Sequence, residues 1–220
     1  RAAGKIDLEM KFAELFRILA ALAMIAAPFS EASCGEIRLG RAPLNSDPRS
    51  LQRGAKLFVD YCLGCHGVSF IRYQQLSEIG FSDREIREEL MSGAGKSSDS
   101  MKAAIRREEV RSWLGAAAPD LSVLARSRSS AFGSGADWLY SYLHRFYRDE
   151  ARPTGWNNDL VPGTAMPHVL WELQGERRSA APGGRQEKIK AAAEYAKSAA
   201  DLAAFLAWAA EPHPLSRMRI

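Results

Sequence analysis

The sequence predicts a mainly α fold: one domain with long irregular loops and little β. Apolar residues recur at helical spacing over 47–62, 136–149 and 187–210. The stretch 151–168 carries Pro153, Gly155, Pro162, Gly163 and Pro167, so it cannot be a regular helix. One short segment, 168–173, has a strand-like pattern, and no internal repeat appears.

Residues 1–32 read as upstream sequence followed by an export signal. After Met10, Lys11 and Arg17 precede an apolar run over 18–29, and Ser30-Glu31-Ala32 places small residues where a signal peptidase cuts. That run of about a dozen residues is short of the ~20 needed to cross a bilayer. A buried helix is the other reading, and Glu14 is an unusual guest in the charged region. The domain proper is then 33–220.

Asp47-Pro48 is a strong helix start, with a side-chain acceptor at the N-cap and a proline whose missing N–H costs nothing in the first turn. Leu51, Ala55, Phe58 and Cys62 follow on one face. Ser82 and Glu85 form a capping-box pattern for a helix to about Met91. Residues 93–100 are a Gly/Ser-rich loop. Short helical patterns return at 107–114 and at 120–128, the second opened by Pro119-Asp120. Trp138, Leu139, Tyr142, Leu143 and Phe146 predict an amphipathic helix over 136–149. Residues 175–184 are polar and breaker-rich, a surface loop. The last helix, 187–210, is alanine-rich, with Ile189, Ala196, Leu202, Phe205, Leu206 and Ala209 along one side, and stops before Pro212. Its small residues permit a close crossing with the first helix.

The first helix runs straight into Cys62-Leu63-Gly64-Cys65-His66, and C-x-x-C-H is the attachment sequence for c-type haem. The two thiols are spaced to add across the two porphyrin vinyl groups, and the adjacent histidine offers the iron an imidazole nitrogen. A structural zinc site would want four Cys or His ligands; the remaining Cys34, His144, His168 and His213 form no second pair. A thioredoxin-like pair would open a helix after a strand, whereas this motif closes one. The fold class is thereby a single c-type cytochrome domain with one covalently attached haem c. Export agrees with this, since attachment takes place outside the cytoplasm. Cys34 has no intramolecular partner.

Over 220 residues the formal charge is +4, with no basic block that would suit nucleic acid. At 46% hydrophobic and 25% charged residues, the chain is of ordinary globular composition.

A single motif leaves the other face of the iron to Met91, Met101, Met166, Met218, His144, His168 or His213. Met166 stands out, because Gly163-Thr164-Ala165-Met166-Pro167 is a short irregular loop that can aim one soft sulfur without helical restrictions. Met101 and His168 are the main alternatives. Methionine opposite histidine raises the potential, and two filled axial positions leave no room for substrate. That points to electron transfer rather than oxygen chemistry.

Taken in order, Gln52-Arg53-Gly54-Ala55 with Phe58, the haem motif, Arg72-Tyr73 with Leu76, Ala118-Pro119-Asp120-Leu121-Ser122, Ala136-Asp137-Trp138, Ala165-Met166-Pro167 and Trp208-Ala209-Ala210-Glu211-Pro212 resemble the cytochrome c1 family of proteobacterial type. This is the haem subunit of ubiquinol–cytochrome c reductase, and the resemblance runs over 39–220. It implies thioether bonds at Cys62 and Cys65 and iron ligation by His66 and Met166. It also implies that the Pro119 carbonyl accepts from the proximal imidazole, that Arg128 lies near a haem propionate, and that Tyr73 packs near the haem. A solvated helix end and a plain core tyrosine are the other readings of Arg128 and Tyr73.

The implied function is to accept one electron from a Rieske iron–sulfur protein and pass it to a soluble cytochrome c. Cytochrome b is the membrane partner, and the domain sits on the periplasmic face of the bacterial inner membrane. Family members continue beyond the position of Ile220 into a C-terminal transmembrane anchor, which this sequence does not contain; the polar stop there reads as a truncation. The alternatives are a free periplasmic electron-carrier cytochrome c and an exported haem sensor or peroxidase-like enzyme. Glu85, Glu88 and Glu89 offer an acidic docking patch, but a solvated helix face is the stronger reading.

Overall fold

The computed structural model describes residues 38–91, 95–175 and 185–211. The expected export signal, Cys34, His213 and Met218 lie outside them.

Helix α1, Pro48–Tyr61, starts as the sequence dictates: the Asp47 side chain accepts from the Ser50 N–H at 3.0 Å and Pro48 occupies the first turn. Its buried face is Ser50, Leu51, Gly54, Ala55 and Phe58, and it packs on the last helix, α7, Arg185–Ala209. The helices touch through backbone at Gly54, where a β-carbon would collide with the Asp201 carbonyl. Phe58 meets Phe205 with ring centroids 5.6 Å apart, and Phe205 stacks on Trp208 at 5.7 Å. Asp201 is buried in this crossing, so its charge needs partners. Arg53 supplies two hydrogen bonds, Nε at 2.6 Å and Nη2 at 3.0 Å, and the Ser50 hydroxyl adds another.

Between these helices the chain forms β1, Val68–Arg72; a 3-10 helix, Tyr73–Ile79; α2, Asp83–Glu85, continued as a π-turn over Ile86–Leu90; β2, Ser100–Met101; α3, Arg107–Leu114; α4, Leu124–Ser127; α5, Gly135–His144; β3, Phe146–Arg148; β4, Trp156–Asn158; and α6, Trp171–Gln174. The ribbons β1–β2 and β3–β4 are both antiparallel, the second in register Phe146–Asn158, Tyr147–Asn157 and Arg148–Trp156. The Ser82–Glu85 capping box forms as predicted. Helix α5 has a second, Ser134 with Asp137, whose carboxylate also accepts from the Ala42 N–H at 2.7 Å. The fold is mainly α, as the periodicity indicated.

Four expectations need correction. The helix expected over 136–149 ends at His144, and the next residues turn into a hairpin. Pairing of Phe146 with Asn158, and the Asn158 amide donating to the Tyr142 carbonyl at 2.8 Å, claim the groups that another helical turn would use. The helix expected over 120–128 shrinks to Leu124–Ser127, because the Asp120 side chain is engaged with Ser69 and Ser122. The strand expected over 168–173 is absent: the Trp171 N–H donates to the His168 carbonyl at 3.3 Å and α6 follows. Ile189, placed on the buried side of the last helix, is 56% exposed, since burial begins only at Tyr195.

Candidate haem site

The C-x-x-C-H motif forms a tight turn capping α1. The Cys62 N–H donates to the Phe58 carbonyl, and the N–H groups of Cys65 and His66 donate to the Cys62 carbonyl at 3.0 and 2.8 Å. A neighbouring segment steadies the turn, with Ala104 N–H donating to Leu63 O and Ile105 N–H to Gly64 O, both at 3.0 Å. Cys62 and Cys65 are unpaired thiols. Burial, with Cys65 close by, pushes the Cys62 thiol up to about 12, so before attachment it is a protonated thiol rather than a reactive thiolate.

His66 points its Nδ1 at the Pro119 carbonyl, 2.7 Å away. A carbonyl only accepts, so Nδ1 carries the hydrogen and Nε2 keeps its lone pair for a ligand. Burial lowers the imidazole pKa despite the opposing pull of Pro119 and Asp120, which keeps the ring neutral. Asp120 holds the Pro119 segment in place. Its carboxylate accepts from Ser69 N–H at 3.1 Å, Ser69 hydroxyl at 2.6 Å, Ser122 N–H at 2.9 Å and the Ser122 hydroxyl. Burial opposes its charge, but these four donors outweigh that and hold its pKa below the usual carboxylate value. Leu121 N–H completes the tie by donating to Gly67 O at 2.7 Å.

Met166 is half-buried in its irregular loop. The Tyr142 hydroxyl lies 3.6 Å from its sulfur and 2.9 Å from the Thr164 hydroxyl, while Arg152 clamps the loop by donating to the Gly163 carbonyl at 2.6 Å. Tyr142 stacks on Trp138 at 5.2 Å, and Trp138 carries the Arg128 guanidinium at 4.5 Å. Arg128 is thus exposed but joined through two rings to the methionine loop. Tyr73 is half-buried, its N–H donating to the Asp99 carbonyl at 3.1 Å; no described hydrogen bond or ring contact joins it to His66 or Met166.

Among the described residues, the other candidate iron ligands are engaged elsewhere. Met101 is fully buried in the core, and Met91 nearly so. His168 is buried, stacked flat on Phe146 at 4.8 Å with Nε2 2.5 Å from Gln174 Oε1. His144 Nδ1 lies 2.8 Å from the Tyr140 carbonyl. Two thiols at the end of α1, a neutral imidazole whose Nε2 has no hydrogen-bond partner among the described residues, and a half-exposed thioether form a donor set that fits a c-type haem.

Tyr142, Thr164 and Asp120 were not singled out as functional from the sequence. Tyr142 sat at helical spacing and read as core, and the threonine two residues before Met166 was the one local cue to it.

The Cytochrome C1 family model matches residues 43–220. The chain is 43% identical to a Nitrosomonas europaea protein named ammonia monooxygenase gamma subunit, covering 87% of this chain and 82% of that one. It is 37% identical to cytochrome c1 of Allochromatium vinosum over 92% and 87% of the two chains. A Rhodospirillum rubrum cytochrome c1 is 28% identical over 76% and 70%. The resemblance drawn from the motifs is confirmed: the chain belongs to the cytochrome c1 family, haem electron-transfer subunits with one covalently attached haem c.

Proposed function

We propose that the chain accepts one electron from a Rieske iron–sulfur protein and delivers it to a soluble cytochrome c, as the haem subunit of ubiquinol–cytochrome c reductase beside cytochrome b. Its seat is the periplasmic face of the bacterial inner membrane, reached by export and held by a C-terminal anchor. The haem, when bound, would supply the one-electron chemistry.

The observation that carries this reading is the His66 Nδ1 to Pro119 carbonyl bond directly after a C-x-x-C turn. It fixes one tautomer, aims Nε2 outward and raises the basicity of the ligating nitrogen. Cys62 and Cys65 form the thioether bonds, so the cofactor is fixed to the end of α1. Met166 would supply the second protein ligand to the iron, and with both ligands in place water and oxygen would be kept from the metal. Arg128 would hold a haem propionate through a charge-assisted hydrogen bond, and Tyr73 would lend the haem apolar packing.

A second reading, attachment to an oxygenase, comes from the name of the Nitrosomonas relative. One experiment separates the two. From detergent-solubilised native membranes the chain should co-purify with a b-type cytochrome and an iron–sulfur protein. Its haem should be reduced by ubiquinol and reoxidised by added soluble cytochrome c. Co-purification with a monooxygenase and no reduction by ubiquinol would sink the proposal.

A further inference from the structure

The Tyr142 hydroxyl faces two partners, Met166 Sδ at 3.6 Å and Thr164 Oγ1 at 2.9 Å. A phenol carries one hydrogen and can accept through its lone pairs, so it donates to only one of them. Its ring has little freedom, with Trp138 stacked at 5.2 Å and 7° on one side and the edge of Phe146 at 5.1 Å and 71° on another. Thr164 can donate as well as accept, and its loop is clamped by Arg152. A thioether has no hydrogen to give, so a hydrogen bond at the sulfur must come from Tyr142.

We propose that Tyr142 is a positioning residue for the axial methionine: Thr164 donates to the Tyr142 oxygen, Tyr142 donates to Met166 Sδ, and this relay raises the reduction potential of the haem. The inference rests on Met166 being the axial ligand. A hydrogen bond to the sulfur draws on the electron density it would otherwise give to iron. A poorer donor supports the ferric state less than the ferrous, and the equilibrium moves toward the reduced form. Donation from Thr164 polarises the phenol and strengthens the second bond.

The test uses the matured holoprotein, with potentiometric titration and the far-red thioether-to-ferric-iron charge-transfer band as readouts. Removing one neutral hydrogen bond to a weak acceptor should shift the ferrous/ferric ratio two- to fivefold toward ferric, ~20–40 mV at 59 mV per tenfold. Tyr142→Phe should give that drop, with the band displaced but present. Thr164→Val should give a smaller drop of the same sign, and Thr164→Ser should restore the parent potential. If Tyr142→Phe releases the ligand, Thr164→Val decides: a lowered potential with the band retained supports the relay, and an unchanged potential overturns it. A parent band together with an unchanged or raised potential in Tyr142→Phe also overturns it, leaving Tyr142 as packing alone. A parent protein lacking the band would instead bring down the assignment of Met166 itself.

Discussion

Two effects of opposite sign act on Gly54→Ala, and their sum is measurable. On propensity alone, alanine inside α1 should stabilise by about 1 kcal/mol. Against this, a β-carbon at Gly54 would lie 2.7 Å from the Asp201 carbonyl carbon and 2.7 Å from Phe205 Cβ. Ordinary carbon–carbon contact is ~3.5–4.0 Å, so α1 and α7 must part by roughly 1 Å. Neither obstacle can swing aside, since one is backbone within a helix and the other the root of a buried ring. Overpacking of this kind costs about 1–3 kcal/mol. Separation also stretches the Arg53 and Ser50 bonds to Asp201, a further ~1–2 kcal/mol; we take the low end because the Arg53 side chain is 43% exposed. The net expectation is a loss of about 2 kcal/mol, or roughly 4–8 °C in Tm for a domain of this size. Thermal unfolding followed by far-UV circular dichroism on the matured protein reads this directly. Cys62, Cys65 and His66 are untouched, so a pyridine haemochrome assay should show full haem content. A variant that melts at or above the parent would mean that the close helix crossing is wrong.

Met166→Leu should keep the covalent haem but lose the thioether charge-transfer band and let added imidazole bind; a retained band would exclude Met166 as ligand. Tyr195→Phe removes a buried hydroxyl that donates to the Leu143 carbonyl at 2.7 Å, and should cost about 1–2 kcal/mol in denaturant unfolding. A cost within error of zero would contradict that bond. Asp120 has a depressed pKa in the folded state, so its stabilisation is complete above its unfolded value of about 3.9 and drains away as pH falls through the lower folded value. Asp120→Asn should therefore be less stable than the parent at pH 6, with the gap closing toward pH 2 in urea titrations; a gap independent of pH would refute it.

Helices whose ends are written in adjacent residues were legible in the sequence. Asp47-Pro48 caps α1, Ser82 and Glu85 box α2, and the long α7 stops before Pro212, because each signal is local and acts through the chain's own backbone. Phe146 shows where that method fails. Its spacing from Trp138, Leu139, Tyr142 and Leu143 suits a helix, yet it pairs with Asn158 twelve residues on, and no periodicity reports a partner that far away. Ile189 erred for a related reason: it keeps the helical rhythm, but the buried side chains of α7 begin only at Tyr195. At the site, the Cys62–His66 turn was readable because covalent attachment dictates residue types at fixed spacing. Tyr142 was not, since an aromatic at a core position looks the same whether its hydroxyl meets a sulfur or nothing.

Both sides of the candidate site take their position from one helix. Asp201 grips α1 through Arg53 and Ser50, and α1 ends at Cys62. Six residues earlier on α7, the Tyr195 hydroxyl donates to the Leu143 carbonyl near the end of α5, the helix that also carries Tyr142 toward Met166. The proximal turn and the methionine loop are thus referenced to a common rod less than two turns long, although no residue of that stretch bonds to either. With His66 and Met166 as the proposed iron ligands, electron transfer would call for the two to be held at fixed separation through oxidation and reduction, with little rearrangement around the metal. Independent loops would each drift; two helices fastened to neighbouring turns of a third move together. The buried Asp201 charge, costly on stability grounds alone, makes physical sense as the price of fixing that register.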